Sequence, residues 1–336
     1  GITGIGTGFS CNILPYHPKQ LIQYLKLKLQ NIATDEIDFI PYYEGFKGKI
    51  SRIESQKYLV QGCYEKISDD KIRITELPIG TWTMPYTTFL ETLMDGSVDK
   101  SGKKIAPVIK DFTSLSTEIT VDFTVVFPKG KLEELEDVVD ANGCNGVMKL
   151  LKLFTTVSST NMHMFNSEFK LHKYMSVEEI IDDFYGIRLQ TYQKRKDYLL
   201  DAMVRKLSKL SNRARYIQET LKGTIDLRKK TAQVVTDLLT GMKFDTIDGD
   251  FKYLIKMPMD SVTDENVASI MKEKADTEHE LEVLRATTLE TMWLNELDML
   301  EREYDNYKRK RETIMAGGGD SKAGTKDKKM RIVKKK

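Results

Sequence analysis

From Val177 to Lys222 the chain holds no proline and a single glycine, Gly186. Ser176-Val177-Glu178-Glu179 stands at the head of this run. A serine hydroxyl there can accept from the N–H three residues on while the glutamate reaches back, the capping box that starts a helix. Leu199, Met203, Leu207, Leu210, Ala214, Ile217 and Leu221 follow at steps of four and three. Such spacing makes a narrow apolar seam, the pattern of a coiled coil. At about 1.5 Å of rise per residue the helix would be on the order of 65 Å long, more than a compact domain is wide. It is expected to project from a body and to need a partner along its stripe. Leu281, Leu284, Leu289, Trp293, Leu297, Leu300, Tyr304, Tyr307 and Ile314 form a second seam. An antiparallel return of that segment over the first would cover both.

The stretch between them, 223–262, is too long for a hairpin loop. Leu238, Leu239, Met242, Phe244 and Phe251 give it enough apolar side chains for a small globular knob. Tyr253, Leu254, Met257 and Met259 are either that knob's core or a contact surface carried at the end of a stalk. Both readings stand at this point.

Seven of the eight prolines lie at or before Pro128, which separates a mixed first half from a helical second half. Lys19 to Gln30 reads as an amphipathic helix with Leu21, Ile22, Leu25 and Leu29 on one face. Lys47 to Ile53, Tyr58 to Val60 and Lys71 to Thr75 alternate with period two between turn-rich segments and predict strands of one antiparallel sheet. Thr117 to Val125 alternates most regularly and predicts a further long strand. Helices are expected over Pro85 to Met94, 131–139 and 147–153, and a β-hairpin from Met162 to Lys173 turning at Asn166-Ser167. The fold class is therefore α+β: a mixed α/β body with an antiparallel sheet, then a long antiparallel coiled coil carrying a small helical knob.

Lysine and arginine number 52 against 50 acidic residues, a net charge of +2. The excess is local, because residues 317–336 hold eight cationic side chains and two acidic ones. This basic tail is expected to be disordered, and to bind nucleic acid non-specifically or to direct nuclear import. Three cysteines without CxxC spacing argue against a disulfide framework and for a reducing, intracellular setting. No apolar run reaches the roughly 18 residues of a membrane span. The first residue is glycine rather than methionine, and the expectation is a segment of a longer polypeptide.

Candidate chemistry is sparse. Gly4 to Ser10 is glycine-rich but fits neither GxGxxG nor GxxxxGK[ST], and it runs into Pro15 and Pro18, so a nucleotide cradle is disfavoured and a tight turn expected. His17, His163, His172 and His279 lack metal-ligand spacing. Asp182 and Asp183, as helix neighbours, point to different sides. Lys194-Arg195-Lys196 reads as a solvated helix face. Taken alone, these residues describe a scaffold, such as a dimeric coiled-coil adaptor with an α/β protein-binding head.

A series of longer motifs points elsewhere. Gly4-Ile5-Gly6-Thr7-Gly8-Phe9-Ser10 with Leu14-Pro15, Phe46-Lys47-Gly48-Lys49-Ile50, and Ile74-Thr75-Glu76-Leu77-Pro78 with Thr81-Trp82-Thr83 are followed by Phe184-Tyr185-Gly186-Ile187-Arg188-Leu189 and Tyr192-Gln193-Lys194-Arg195-Lys196-Asp197. In that order they resemble the eukaryotic-type type IIA DNA topoisomerases. The resemblance implies that 1–18 end a winged-helix DNA-binding region, that 19–175 form the tower domain, and that 176–316 form a stalk with the dimerisation knob of an exit gate. It implies an ATP-dependent enzyme that passes one duplex through a transient double-strand break in another. Its partners would be double-stranded DNA, a second copy of itself, and upstream domains that carry the nucleophilic tyrosine, the Mg2+ site and the ATPase. No membrane is involved. None of the 15 tyrosines is expected in the Arg-Tyr context of the family's nucleophile. No catalytic residue and no cofactor are assigned to this segment, which is expected to be inert in cleavage alone; Mg2+ and ATP belong to the full-length enzyme. A nuclear protein is implied, or a cytoplasmic one if viral. Ile5 matches the family's isoleucine that wedges between base steps and bends the duplex, against the alternative of a core residue. Lys47, Lys49 and Arg52 are candidates for phosphate contacts, against the alternative of a solvated strand. Tyr253, Leu254, Met257 and Met259 are candidates for the dimer gate. An adaptor has no reason to carry the wedge loop.

Overall fold

The computed structural model describes residues 1–98, 104–228, 230–247, 249–258 and 263–315. The tail 317–336 and Met259 therefore lie outside the described residues. Contacts divide the chain into two compact units, Gly1–Phe184 and Tyr185–Lys336.

The first unit opens with a hairpin, β1 (Ile2–Gly6) and β2 (Phe9–Ile13), paired antiparallel with Ile5 opposite Ser10. Helix α1 (Pro18–Leu29) follows. Proline stands in its first turn, where no N–H is needed, and His17 Nδ1 accepts from the Lys19 N–H at 3.1 Å. Next come β3 (Lys49–Glu54), β4 (Lys57–Gln61), β5 (Cys63–Ser68), β6 (Lys71–Glu76), α2 (Thr83–Asp95), the short β7 (Ser97–Val98) and β8 (Lys104–Ile105), β9 (Asp111–Ser114) and β10 (Phe123–Val126). Helices α3 (Lys131–Glu136) and α4 (Gly146–Leu150), strand β11 (Phe154–Ser158) and a second hairpin, β12 (His163–Phe165) and β13 (Leu171–Lys173), complete it.

The three alternating runs do not share one sheet, contrary to expectation. β3 and β4 join β11 in the order β11-β4-β3, whereas β6 lies in the order β5-β6-β10-β9. Gly62 makes the handover. Its N–H donates to the Leu153 carbonyl at 2.8 Å, and a Cβ there would stand 2.4 Å from the Glu76 carbonyl oxygen, so a glycine is needed where the backbones approach this closely. The long strand expected over 117–125 begins only at Phe123. Thr117 and Thr120 close a tight turn instead, with the Thr120 N–H on Thr117 Oγ1 at 3.1 Å and the Thr117 N–H on the Thr120 carbonyl at 2.9 Å. Hydroxyl side chains compete with the ladder for backbone groups, and alternation alone does not register that competition. The core lies where Ile72, Ile74, Phe123 and Val125 pack against Leu90 of α2 and Leu132, Leu151 and Leu153, all fully buried.

Helix α5 (Val177–Leu221) is one unbroken helix of 45 residues. Its first turns close the first unit, Val177 and Ile181 packing with Tyr24 and Phe39. Asp182 and Asp183 diverge as helix neighbours must: Tyr24 Oη donates to one at 3.0 Å and Tyr174 Oη to the other at 2.6 Å. In the second unit lie α6 (Ala232–Gly241), α7 (Lys252–Ile255), α8 (Asp264–Ala286) and α9 (Leu289–Met315). The partners of α5 descend in number as α5 rises: Tyr192 with Trp293, Lys196 with Thr287, Lys206 with Glu273, Leu210 and Ala214 with Ile270. That is an antiparallel return, made by two helices with a break at Thr287-Thr288. The cluster 194–196 is not merely a solvated face. Lys196 Nζ donates to the Arg285 and Thr287 carbonyls at 3.1 and 2.6 Å, capping the end of α8, and Arg195 pairs with Glu296 of α9 at 2.6 Å. Burial alone would raise the Glu296 carboxyl, but bonds from Tyr192 and Arg195 hold it below the usual carboxylate range. Trp293 stacks between Tyr185 and Tyr192, with ring centres 5.4 and 5.5 Å away. The second seam is covered at Leu281, Trp293 and Leu297, while Leu300, Tyr307 and Ile314 stay exposed.

Candidate functional site

Ile5 is 92 % exposed, which rules out a core role within this chain. Gly8 turns the chain at φ +86°, a conformation that favours glycine, and a Cβ on Gly6 would stand 2.7 Å from the Phe9 ring, which would have to shift. A Cβ on Gly4 would meet nothing within 4 Å. Cross-strand partners share a face and neighbours alternate. Ile5 and Ser10 therefore lie on one face of the hairpin and Phe9 on the other. The Phe9 ring packs edge-on against Phe165 at 5.6 Å. Asn161 ties the hairpin down twice: its carbonyl accepts from the Asn12 N–H at 2.7 Å, and its amide donates to Ser10 Oγ at 2.9 Å. The result is an apolar side chain presented to solvent on a braced support.

Lys47 and Lys49 are exposed, with no hydrogen bond or ion pair from their ammonium groups among the described residues. Arg52 is also exposed, but its guanidinium is tied to its surroundings. Its Nη2 ion-pairs with Asp38 and reaches the Phe39 carbonyl at 3.4 Å, Nη1 donates to the Ser55 carbonyl at 3.3 Å, and the guanidinium carbon lies 5.3 Å from the Tyr58 ring centre. Strand alternation also places Arg52 on the opposite face of β3 from Lys49. Lys47 and Lys49 are thus both exposed at the start of β3, whereas Arg52 is set apart as a tie between β3 and the segment at 38–39.

In the second unit the knob has a core of its own, in which Tyr216, Ile225, Val235, Leu239, Phe244, Phe251 and Leu254 pack together. Leu254 is fully buried, so of the two readings held open for it, core is the one realised. Tyr253 and Met257 are half-buried at the edge of that core, and the Tyr253 hydroxyl donates to the Asp245 carbonyl at 2.7 Å. Asp245 in turn accepts from Ser208 at 2.7 Å and Asn212 at 2.8 Å, bonds that hold its carboxyl below the usual range. Among the described residues of the knob, Val234 and Ile255 are exposed apolar side chains; neither was a gate candidate from the sequence. The signal for Ile255 was its place directly after Leu254, since helix neighbours face different ways.

One tyrosine does follow an arginine, contrary to expectation: Tyr216 stands directly after Arg215. Its ring is buried against Phe244, and burial pushes its hydroxyl above the ordinary tyrosine range, so it packs the knob and is poorly placed to act as a nucleophile. Among the described residues no three His, Cys, Asp or Glu side chains converge on a common point, and no helix is long and apolar enough to cross a membrane.

Residues 1–298 match the family model for DNA gyrase/topoisomerase IV. The chain is 29% identical over 344 residues to a DNA topoisomerase 2 of Pisum sativum, covering 90% of this chain and 23% of that one. It is 29% identical over 365 residues to a DNA topoisomerase 2 of Acanthamoeba polyphaga mimivirus, covering 91% and 28%. Among solved structures it is similar to the DNA-binding, cleavage and re-ligation domain of Plasmodium falciparum topoisomerase II, with a TM-score of 0.76, 29% identity, and coverage of 91% of this chain and 44% of that one. The chain thus spans about a quarter of the length of these curated relatives.

Proposed function

Because the chain belongs to the DNA gyrase/topoisomerase IV family, we propose that it is the duplex-holding and exit-gate portion of an ATP-dependent type II DNA topoisomerase, in which one duplex passes through a transient double-strand break in another. The observation that carries this reading is Ile5, a branched apolar side chain almost wholly exposed near the end of a braced hairpin. Unstacking a base step costs on the order of a few kcal/mol, offset by the extra contact a bent duplex allows. A side chain can act as such a wedge only if the groove yields before its own support does. Phe165 and Asn161 give it that support. Lys47 and Lys49 take phosphates on this reading, while Arg52 keeps its own strand in place.

The same reading assigns the homodimer contact to the surface of the knob, with Tyr253, Met257, Ile255 and Val234 as its candidate side chains and Leu254 as the core beneath. Cleavage chemistry belongs to domains outside this chain. Mg2+ and ATP are the whole enzyme's cofactors, and the described residues offer no donor set that fits the metal. The site of action is the nucleus, or the cytoplasm for a viral source.

The test is Ile5→Ala in the assembled enzyme, read by energy transfer between dyes at the two ends of a bound duplex. The bent fraction is expected to fall by about five-fold or more, from the loss of an apolar side chain worth roughly 1–3 kcal/mol. Unchanged transfer at saturating enzyme would remove the wedge and with it the observation on which this function rests.

A further inference from the structure

Phe169, in the turn between β12 and β13, is 87 % exposed and has φ +59°. Both features are unfavourable for phenylalanine, because the left-handed region crowds any Cβ and a glycine would enter it freely. The turn is nonetheless fixed. Asn166 Oδ1 accepts from the N–H groups of Glu168 and Lys170, each at 3.0 Å, and the Phe169 N–H donates to the Asn166 carbonyl at 3.0 Å. A rigid turn therefore presents a large apolar ring to solvent, at a backbone position that a glycine would fill at lower cost. Observed strain of this kind directs attention to an outside contact.

The place of the turn identifies that contact. Asn12 meets Asn161 at the base of the two hairpins, and Phe9 meets Phe165 nearer their ends. Strands β2 and β12 therefore run side by side in opposite directions, and both turns face the same way. β1–β2 and β12–β13 are separate two-stranded sheets that meet along β2 and β12, so Ile5 and Phe169 are carried on neighbouring hairpins. Glu168, the acidic side chain in this turn, is neutralised by Lys170 at 2.7 Å.

We infer that the β12–β13 turn is a second DNA contact, in which Phe169 enters the groove of the same duplex that Ile5 bends. The inference rests on the wedge reading of Ile5. An aromatic ring can stack on or part base steps of any sequence, so the contact adds grip and curvature without base readout.

The experiment places the photoreactive residue benzoylphenylalanine at position 5 or at position 169 of the assembled enzyme, and irradiates each with a labelled duplex. Both are expected to cross-link to DNA, with adducts at different positions on the same duplex. A DNA adduct from position 5 with only protein adducts, or none, from position 169 overturns the inference and leaves the wedge intact. Absence of DNA adducts from both positions overturns the wedge reading and the inference together. Phe169→Gly gives a second readout. Glycine suits the backbone angle, so the turn is kept while the ring is lost, and DNA affinity is expected to fall by about five-fold, in keeping with one lost stacking contact. Unchanged affinity and bending in this variant would also overturn the inference.

Discussion

The guanidinium of Arg52 and the ammonium of Lys49 stand three residues apart on one strand, yet the first is held by Asp38, the Phe39 and Ser55 carbonyls and the Tyr58 ring, while the second has no partner among the described residues. The two should respond differently to salt. A lysine that neutralises a phosphate releases condensed counterions, so Lys49→Ala in the assembled enzyme is expected to lower the slope of log affinity against log salt by about 0.9. Arg52→Ala should leave that slope alone and instead lower the stability of the first unit by about 1 kcal/mol, the worth of a lost hydrogen-bonded tie. Equilibrium binding at several salt concentrations, beside a thermal melt, separates them; an equal drop in slope for both variants would mean that Arg52 abandons its partners for the duplex. The pair also shows what sequence can and cannot reveal at this scale. Both residues are cations on an alternating strand, and that much was legible. Which one is free depends on Asp38 and Phe39, placed against β3 by the intervening chain, and no local pattern records it. The motif singled out Ile5, and the structure exposes it; the exposure of Phe169 had no such marker, because an aromatic residue in a turn carries no periodic signal of its exposure.

At the scale of elements, α5 was read correctly because its evidence is local: a cap, a spacing and the absence of breakers. The cap differs in one detail. Ser176 Oγ accepts from the Glu179 N–H at 3.2 Å as expected, but the Glu179 carboxylate reaches past Ser176 to the Met175 N–H at 2.6 Å and lies 3.0 Å from His172 Nε2. The His172 contact and the Met175 bond together hold the Glu179 carboxyl below the usual range. A carboxyl lowered on folding stabilises the folded state above its unfolded value, near 4.3, and loses that contribution as pH falls through the folded value. Glu179→Gln should therefore melt below the parent at neutral pH, with the gap closing as pH is lowered from about 6 to about 3. Ser176→Ala should cost about 1 kcal/mol at every pH, because a hydroxyl cap does not titrate. A gap for Glu179→Gln that stays constant down to pH 3 would show that the carboxylate charge is not what holds this helix end. The elements that were misread failed for non-local or competing reasons. Gly62 divides one expected sheet into two because a carbonyl from β6 approaches it, and Thr117 and Thr120 remove the first two thirds of an expected strand by bonding to backbone that the ladder would otherwise use.

For the whole molecule, the question is whether the knob surface alone holds two copies together. On the proposed exit-gate reading the contact must open in each cycle, so its interface is expected to be moderate in area and to dissociate on dilution rather than to resemble a domain core. Leu254 and Ile255 allow that surface to be tested against the knob's own stability, because adjacent side chains face inward and outward. Leu254→Ala should create a cavity and cost the knob about 2–5 kcal/mol, which a melt of the second unit would report. Ile255→Asp puts a charge on an exposed position, so it should leave that melt nearly unchanged while abolishing association. Light scattering of the 336-residue chain over a range of concentrations decides the matter. A parent that is dimeric when concentrated and monomeric when dilute, beside a monomeric Ile255→Asp with an unaltered melt, places the gate on the outer face of α7. If Ile255→Asp associates as the parent does, the contact lies elsewhere on the knob, with Val234 the next position to charge. A parent that is monomeric at every concentration would show that the knob closes the gate only when the rest of the enzyme already holds the two copies side by side. Closure would then be an effect of raised local concentration rather than of intrinsic affinity.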